Sequence, residues 1–197
     1  SRGFMWFGTW DGLNRFDGYE FVIYNNENGL SNNTVRSLYE DGNMNLWIGT
    51  EGGLDRLDLL TGEMEAFRHV EGQSNSLSND FILDIIPGRN NDLWICTADG
   101  LNNYHPKKDQ FRRLSFFSGQ ADSSLSNYVN CAFIDDKDRL WIGTNYGLHC
   151  YNLVKRSINA FYARHGKENT LSDNRVTDIV MDQEGNLWVG TMNGLNK

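Results

Sequence analysis

The sequence predicts an all-β fold made of repeated four-stranded antiparallel units, stacked as a propeller or solenoid array. The first observation is a pentapeptide, Leu187-Trp188-Val189-Gly190-Thr191, with earlier versions at Met5-Trp6-Phe7-Gly8-Thr9, Leu46-Trp47-Ile48-Gly49-Thr50, Leu93-Trp94-Ile95-Cys96-Thr97 and Leu140-Trp141-Ile142-Gly143-Thr144. Each is followed by two variable residues and then Gly-Leu, at Gly12-Leu13, Gly53-Leu54, Gly100-Leu101, Gly147-Leu148 and Gly194-Leu195. The second observation is the interval: these tryptophans stand 41, 47, 47 and 47 residues apart. A fixed period in the forties with several strand signals per period marks such arrays. The third is composition. With 20 Gly and 2 Pro, the turns rest on Gly, Asn and Asp, and 13% aromatic content suits many short strands.

Within one unit, Val176 to Met181 alternates and is rich in β-branched residues, which predicts the first strand. Asp182-Gln183-Glu184-Gly185-Asn186 is a turn, and Leu187 to Thr191 is the second strand. The earlier units complete the pattern. Gly53 to Asp58 is a third strand, Leu60-Thr61-Gly62-Glu63 a turn, and Met64 to His69 a fourth strand. A polar loop then leads to a Leu-Ser-Asn/Asp cue, seen at Leu30-Ser31-Asn32, Leu77-Ser78-Asn79, Leu125-Ser126-Asn127 and Leu171-Ser172-Asp173. Its polar side chains can bond nearby backbone amides and fix the start of the next first strand.

Alternate residues of a strand share a face, so Trp47 and Gly49 lie on one side and Leu46, Ile48 and Thr50 on the other. A strand apolar on both sides must be covered on both sides. Neighbouring units supply that cover, with each indole burying on the order of 200 Å² and an adjacent Gly or Cys making room for it. The boundaries follow: 1–28 holds strands two to four of a first blade, 29–75, 76–123 and 124–170 are full four-strand units, and 171–197 holds the first three strands of another. The chain therefore reads as part of a larger ring, with apolar end faces prone to self-association.

A net charge of −8 argues against a nucleic-acid partner. No apolar run approaches the roughly 20 residues needed to span a bilayer, so this piece is not expected to insert in a membrane. Cys96, Cys131 and Cys150 lack metal-ligand spacing. Cys96 replaces the repeat's Gly and reads as a small apolar filler. A Cys131–Cys150 disulfide stays open at this level.

The pattern Asp-x-x-Gly-Asn-Leu-Trp-x-Gly-Thr-x-x-Gly-Leu, clearest from Asp182 to Leu195, resembles the two-component regulator propeller repeat, and Gly3 to Tyr19 is similar to the first repeat of such sensors. The resemblance implies four-stranded blades of about 47 residues within a seven-bladed β-propeller. It also implies the periplasmic sensor region of a hybrid histidine kinase, mostly of gut Bacteroidetes, that detects glycan breakdown products. The chain itself would then be no enzyme. Its partners would be an oligosaccharide, the rest of the propeller and a second protomer. Departures from the pattern are Cys96 and the segments Gly88 to Asp92 and Asp135 to Arg139, which lack the turn glycine.

Chemistry is sparse. Asp135-Asp136-Lys137-Asp138 has an acidic spacing but lacks the glycine and distal Glu of a helix–loop–helix calcium site, and reads as a capped hairpin turn. His69, His105, His149 and His165 show no metal-ligand spacing, so no metal or cofactor is expected. His149 stands where other units carry Asn14, Asp55, Asn102 and Asn196, and reads as an ordinary surface or half-buried residue. No nucleophile elbow, P-loop or dinucleotide fingerprint occurs, and a glycosidase carboxylate pair cannot be located from sequence.

Recognition is expected in loops that vary while their flanks do not. In an up-and-down unit, the loops between strands two and three and the loops between units emerge on one face. The first set reads Trp10-Asp11, Glu51-Gly52, Ala98-Asp99, Asn145-Tyr146 and Met192-Asn193. Behind the cue stand Asn33, Asp80, Tyr128, and Asn174-Arg175. Sugars present apolar C–H faces and hydroxyl edges. Trp10, Tyr128 and Tyr146 are therefore candidate platforms, and Asp11, Asn33, Asp80, Asn174 and Arg175 candidate hydrogen-bonding groups. More acids than bases at this rim argue against a highly sulfated ligand. The competing readings are a propeller enzyme (lyase or glycosidase) and a pure protein-interaction propeller.

Overall fold

The structure is a computed structural model that describes residues 3–114 and 127–197. It is all-β, with strands joined in chain order into five antiparallel sheets. The first sheet holds β1 (Met5–Thr9), β2 (Gly12–Phe16) and β3 (Phe21–Tyr24). The second holds β4 (Val35–Glu40), β5 (Asn45–Thr50), β6 (Gly53–Asp58) and β7 (Met64–Phe67). The third holds β8 (Ile82–Pro87), β9 (Leu93–Thr97), β10 (Gly100–His105) and β11 (Gln110–Leu114). The fourth holds β12 (Val129–Ile134), β13 (Arg139–Thr144), β14 (Gly147–Asn152) and β15 (Ser157–Phe161). The fifth holds β16 (Val176–Met181), β17 (Leu187–Thr191) and β18 (Gly194–Asn196). The fourth strand of the second sheet ends at Phe67, two residues before the expected His69. There the backbone turns away so that the His69 amide can donate to Asp80. Leu125 and Ser126 of the third Leu-Ser-Asn cue lie outside the described residues. Among the described residues no helix is long and apolar enough to cross a membrane.

The chain divides into two compact units, Ser1–Ile95 with Asn102–Arg113, and Cys96–Leu101 with Leu114–Lys197. In the first unit, one core lies between the first and second sheets. Leu13, Leu30, Val35, Leu46, Ile48 and Leu57 are buried there, with Trp6 and Tyr24 packed against them. A second core lies between the second and third sheets, where Trp47, Leu54, Leu77, Ile82, Ile85, Leu93, Ile95, Tyr104 and Phe111 meet. Alternation thus sends Leu46 and Ile48 to one neighbour and Trp47 to the other. The Trp47 indole meets the Tyr104 ring edge-on at 5.1 Å between centroids. In the second unit, Cys131, Leu148, Val176, Ile179 and Val189 form the equivalent core.

The structure corrects what the repeat glycine makes room for. It is a β-branched residue on the first strand of the next sheet, not an indole. A Cβ on Gly49 would stand 2.7 Å from Ile82 Cγ2, one on Gly8 2.7 Å from Val35 Cγ1, and one on Gly143 2.6 Å from Val176 Cγ1. The indoles are also less uniformly buried than expected. Trp47 and Trp94 are 1% and 7% exposed, whereas Trp6, Trp141 and Trp188 are half-buried.

An unforeseen contact fixes the tryptophans. In the turn before the second strand, Asp41, Asp135 and Asp182 accept the indole N–H of Trp47, Trp141 and Trp188 at 3.0, 3.0 and 2.8 Å. Their other oxygens cap turn amides, as at Lys137 and Arg139 on Asp135. In the third sheet Gly88 stands at this position, and two left-handed residues, Asn90 and Asn91, turn the chain instead. In the Asp135 turn, Asp138 takes the left-handed conformation (φ 59°) that Gly185 takes in its repeat. All three cysteines are buried, and none is in a disulfide. Cys131 and Cys150 sit on the strands flanking β13. Two strand spacings separate them by about 10 Å, beyond the roughly 7 Å that a disulfide spans.

Candidate functional site

Every second-to-third-strand hairpin has the same frame. The hydroxyls of Thr9, Thr50, Thr97, Thr144 and Thr191 donate to the carbonyls of Gly12, Gly53, Gly100, Gly147 and Gly194 at 2.8–3.0 Å. Each also accepts the amide two residues on, at 2.9–3.3 Å. The glycines close the turn with φ between 109° and 146°, a region costly for residues with a Cβ. Two tip residues per hairpin remain free to differ.

The cue is equally fixed. Ser31 donates its amide and hydroxyl to Asp55 at 3.0 and 2.6 Å. The Ser78 amide donates to Asn102 and the Ser172 amide to Asn196, at 3.0 and 2.9 Å, and each Asn returns its Nδ2 to the serine Oγ. Burial pushes the Asp55 carboxyl above its usual range, partly offset by the Ser31 bonds. His149 occupies the same repeat position and is buried at 1% exposed, contrary to its reading as a surface or half-buried residue. Burial holds its pKa down to about 4.

The candidate residues behind the cue serve this frame. Asn33, Asp80 and Asn174 accept, through Oδ1, the amides of Asn26, His69 and Ala163 at 2.8, 2.5 and 2.7 Å. Each clasps the loop arriving from the preceding fourth strand. The Asn33 and Asn174 carbonyls also accept the amides of Gly12 and Gly147. Asn33 keeps one outward bond, from Nδ2 to Asp11 at 3.5 Å. Arg175 is exposed, and its amide donates to Asp173. Tyr128 and Tyr146 are half-buried, with the Tyr146 ring 5.6 Å from Tyr162. Trp10 is 76% exposed.

Sequence reasoning missed the residue that gathers this rim in the first unit. On β4, Val35 pairs with Thr50 and Ser37 with Gly49, leaving Arg36 as a one-residue bulge. Bulges re-aim a side chain. The Arg36 guanidinium carbon lies 5.3 Å from the Trp10 ring centroid and 5.0 Å from that of Phe81. Its Nε donates to Glu51 Oε1 at 2.9 Å, and Nη2 reaches the same oxygen. Bulges recur in the second unit at Asn130 and Thr177, where Asn130 Nδ2 donates to Asn145 and to the Val176 carbonyl. In these three strands the residue before the bulge is Val, at Val35, Val129 and Val176, while the bulged residue changes. That contrast of fixed and changing neighbours is the signal a sequence reader could have used.

Among the described residues no group of three or more His, Cys, Asp or Glu is placed to hold a metal ion. His69 Nδ1 lies 2.7 Å from the Leu77 carbonyl, and His105 Nδ1 lies 2.8 Å from Asp92.

Comparison with known proteins agrees with this architecture. The two-component regulator propeller family matches residues 29–52, and the SMP-30/gluconolactonase/LRE-like region matches 106–197. No curated protein matches the chain. Among solved structures, the extracellular domains of the hybrid two component systems BT3049 and BT4673 from B. thetaiotaomicron are 21% and 22% identical, with TM-scores of 0.59 and 0.56. Each alignment covers 99% of this chain, which spans 38% and 36% of theirs. Virginiamycin B lyase from Staphylococcus aureus is 14% identical with a TM-score of 0.71, covering 98% of this chain and 61% of the lyase. The chain is thus a β-propeller fragment by fold, and its residues 29–52 match the two-component regulator propeller repeat.

Proposed function

We propose that this chain is the ligand-sensing propeller portion of a hybrid two-component sensor outside the cytoplasm, in the periplasm. In this reading it binds a glycan-derived oligosaccharide at its hairpin rim and passes a rearrangement to a kinase elsewhere in the full protein. The observation that carries the reading is the exposed Trp10 ring beside Arg36, Asp11 and Asn33, presented by hairpins whose frame does not vary. An exposed indole offers a face for sugar C–H groups, and the polar neighbours offer donors and acceptors for hydroxyls. A ligand can bias a switch only through unequal affinity for its two arrangements. The rest of the propeller and a second protomer are the expected protein partners. Calorimetry of the complete ectodomain against a panel of oligosaccharides tests the proposal. It expects at least one saturable binder, and binding to none of them refutes it.

The likeness to virginiamycin B lyase favours one second reading, a propeller enzyme. Turnover of the same panel separates the two. A sensor returns the oligosaccharide unchanged, and a lyase or glycosidase does not.

A further inference from the structure

We infer that the Trp10–Arg36–Glu51 cluster is a subsite for a sugar carboxylate, so that the ligand class is an oligosaccharide containing uronic acid. The inference rests on the oligosaccharide reading above and adds to it the chemistry of one subsite.

Arg36 is the charged member of the bulge series, where the second unit has Asn130 and Thr177. Its guanidinium is held near two aromatic rings, Trp10 and Phe81, so the cation is oriented before any ligand arrives. Both donors of one edge, Nε and Nη2, converge on the single oxygen Oε1 of Glu51. A carboxylate engaged through one oxygen leaves the two-oxygen geometry that a guanidinium fork prefers unfilled. The pair is also accessible, with side chains 33% and 27% exposed. Glu51 thus occupies the edge that an incoming carboxylate would take, and its own group identifies the chemistry: planar and singly charged. The guanidinium lies over the Trp10 ring, and the large exposed surface of that ring suits the sugar bearing the carboxylate. The nearby Asp11 and Glu51 carboxylates disfavour a densely sulfated chain, which one arginine could not neutralise.

Because the resident carboxylate competes with the ligand, the two partners of the pair have opposite effects. The test is calorimetry of the complete ectodomain with oligogalacturonate, hyaluronan and alginate oligosaccharides, their methyl esters, and a neutral xylo-oligosaccharide. The expected result is that at least one uronate binds and its methyl ester is weaker by roughly tenfold to a hundredfold. Arg36→Gln should abolish that discrimination, and Arg36→Lys should keep only part of it. Glu51→Gln should tighten uronate binding severalfold. A merely structural ion pair would instead give weaker binding in Glu51→Gln. Thermal melts of each variant establish that it is folded. Equal affinity for uronates and methyl esters, or binding of the neutral sugar alone, overturns this inference and leaves the sensor proposal standing. Binding of no sugar at all overturns both.

Discussion

Gly49→Ala is the sharpest probe of how the sheets are joined. The added Cβ would stand 2.7 Å from Ile82 Cγ2, 3.2 Å from Ile82 Cβ and 3.3 Å from Ile85 Cδ1. Carbon pairs prefer about 3.5–4.0 Å, so the overlap is about 1 Å. Ile82 is fully buried and β-branched, so it has little rotamer freedom with which to retreat. The strands must part, at a cost of about 2 kcal/mol in the range for overpacked cores. Ile82→Ala alone should cost about 3 kcal/mol through lost burial and the cavity left behind. The double variant removes the Cγ2 methyl and with it the tightest of these overlaps. Its cost should fall short of the summed single costs by about 1–2 kcal/mol, since residues in contact couple. Urea unfolding of the four proteins measures this cycle. Gly42→Ala serves as control, because nothing lies within 4 Å of its added Cβ, and it should stay within about 0.5 kcal/mol of the parent. Additivity of Gly49→Ala and Ile82→Ala would refute the interlocking of glycine and β-branched residue.

Three further predictions concern charge and polarity. His149 is buried with its pKa held down to about 4 by desolvation, against about 6.5 when unfolded. Its contribution is therefore complete above pH 6.5 and lost as pH falls toward 4, by roughly 3 kcal/mol in all. His149→Asn, the residue at this position in other repeats, should flatten the chemical-denaturation stability across that window. Asp55 is shifted upward by burial, so its contribution is present at low pH and fades as pH rises through the folded pKa. Asp55→Asn should keep the serine clasp seen at Asn102 and raise the Tm at pH 7, with the gain shrinking toward pH 4. Asp182 is lowered to about 2, chiefly by the Trp188 indole N–H and the Asn186 side chain. Its contribution is complete above about pH 4 and lost between there and pH 2. Asp182→Asn should therefore remove part of the acid-unfolding transition followed by far-ultraviolet circular dichroism.

The repeat frame was legible because its causes are local and written four or five times. The Trp-x-Gly-Thr strand, the turn before it and the Leu-Ser-Asn cue recur at offsets that differ by one residue only in the third cue, and strands such as Val176–Met181 and Gly53–Asp58 appear with the bounds expected of them. What the glycine faces was not legible. The partner of Gly49 is Ile82, on the next sheet, and strand alternation names the face without naming its neighbour. The candidate rim was read through variability alone. Variability does not separate Asp11 at an exposed hairpin tip from Asp80, whose oxygen clasps the His69 amide. Arg36 was missed for a different reason. A bulge adds one residue to one strand, and its register shift shows only when both strands are paired.

In the proposed reading, a fixed frame leaves Trp10 to meet the ligand. The direct measurement is a tryptophan-fluorescence titration of the complete ectodomain with the oligosaccharide that calorimetry identifies, in parallel on the parent protein and on Trp10→Phe. The expected result is a saturable change in the parent that falls sharply in Trp10→Phe, because Trp10 is 76% exposed whereas Trp47 and Trp94 are buried and Trp6, Trp141 and Trp188 are half-buried. An undiminished change in Trp10→Phe, or binding with no change in the parent, would contradict it.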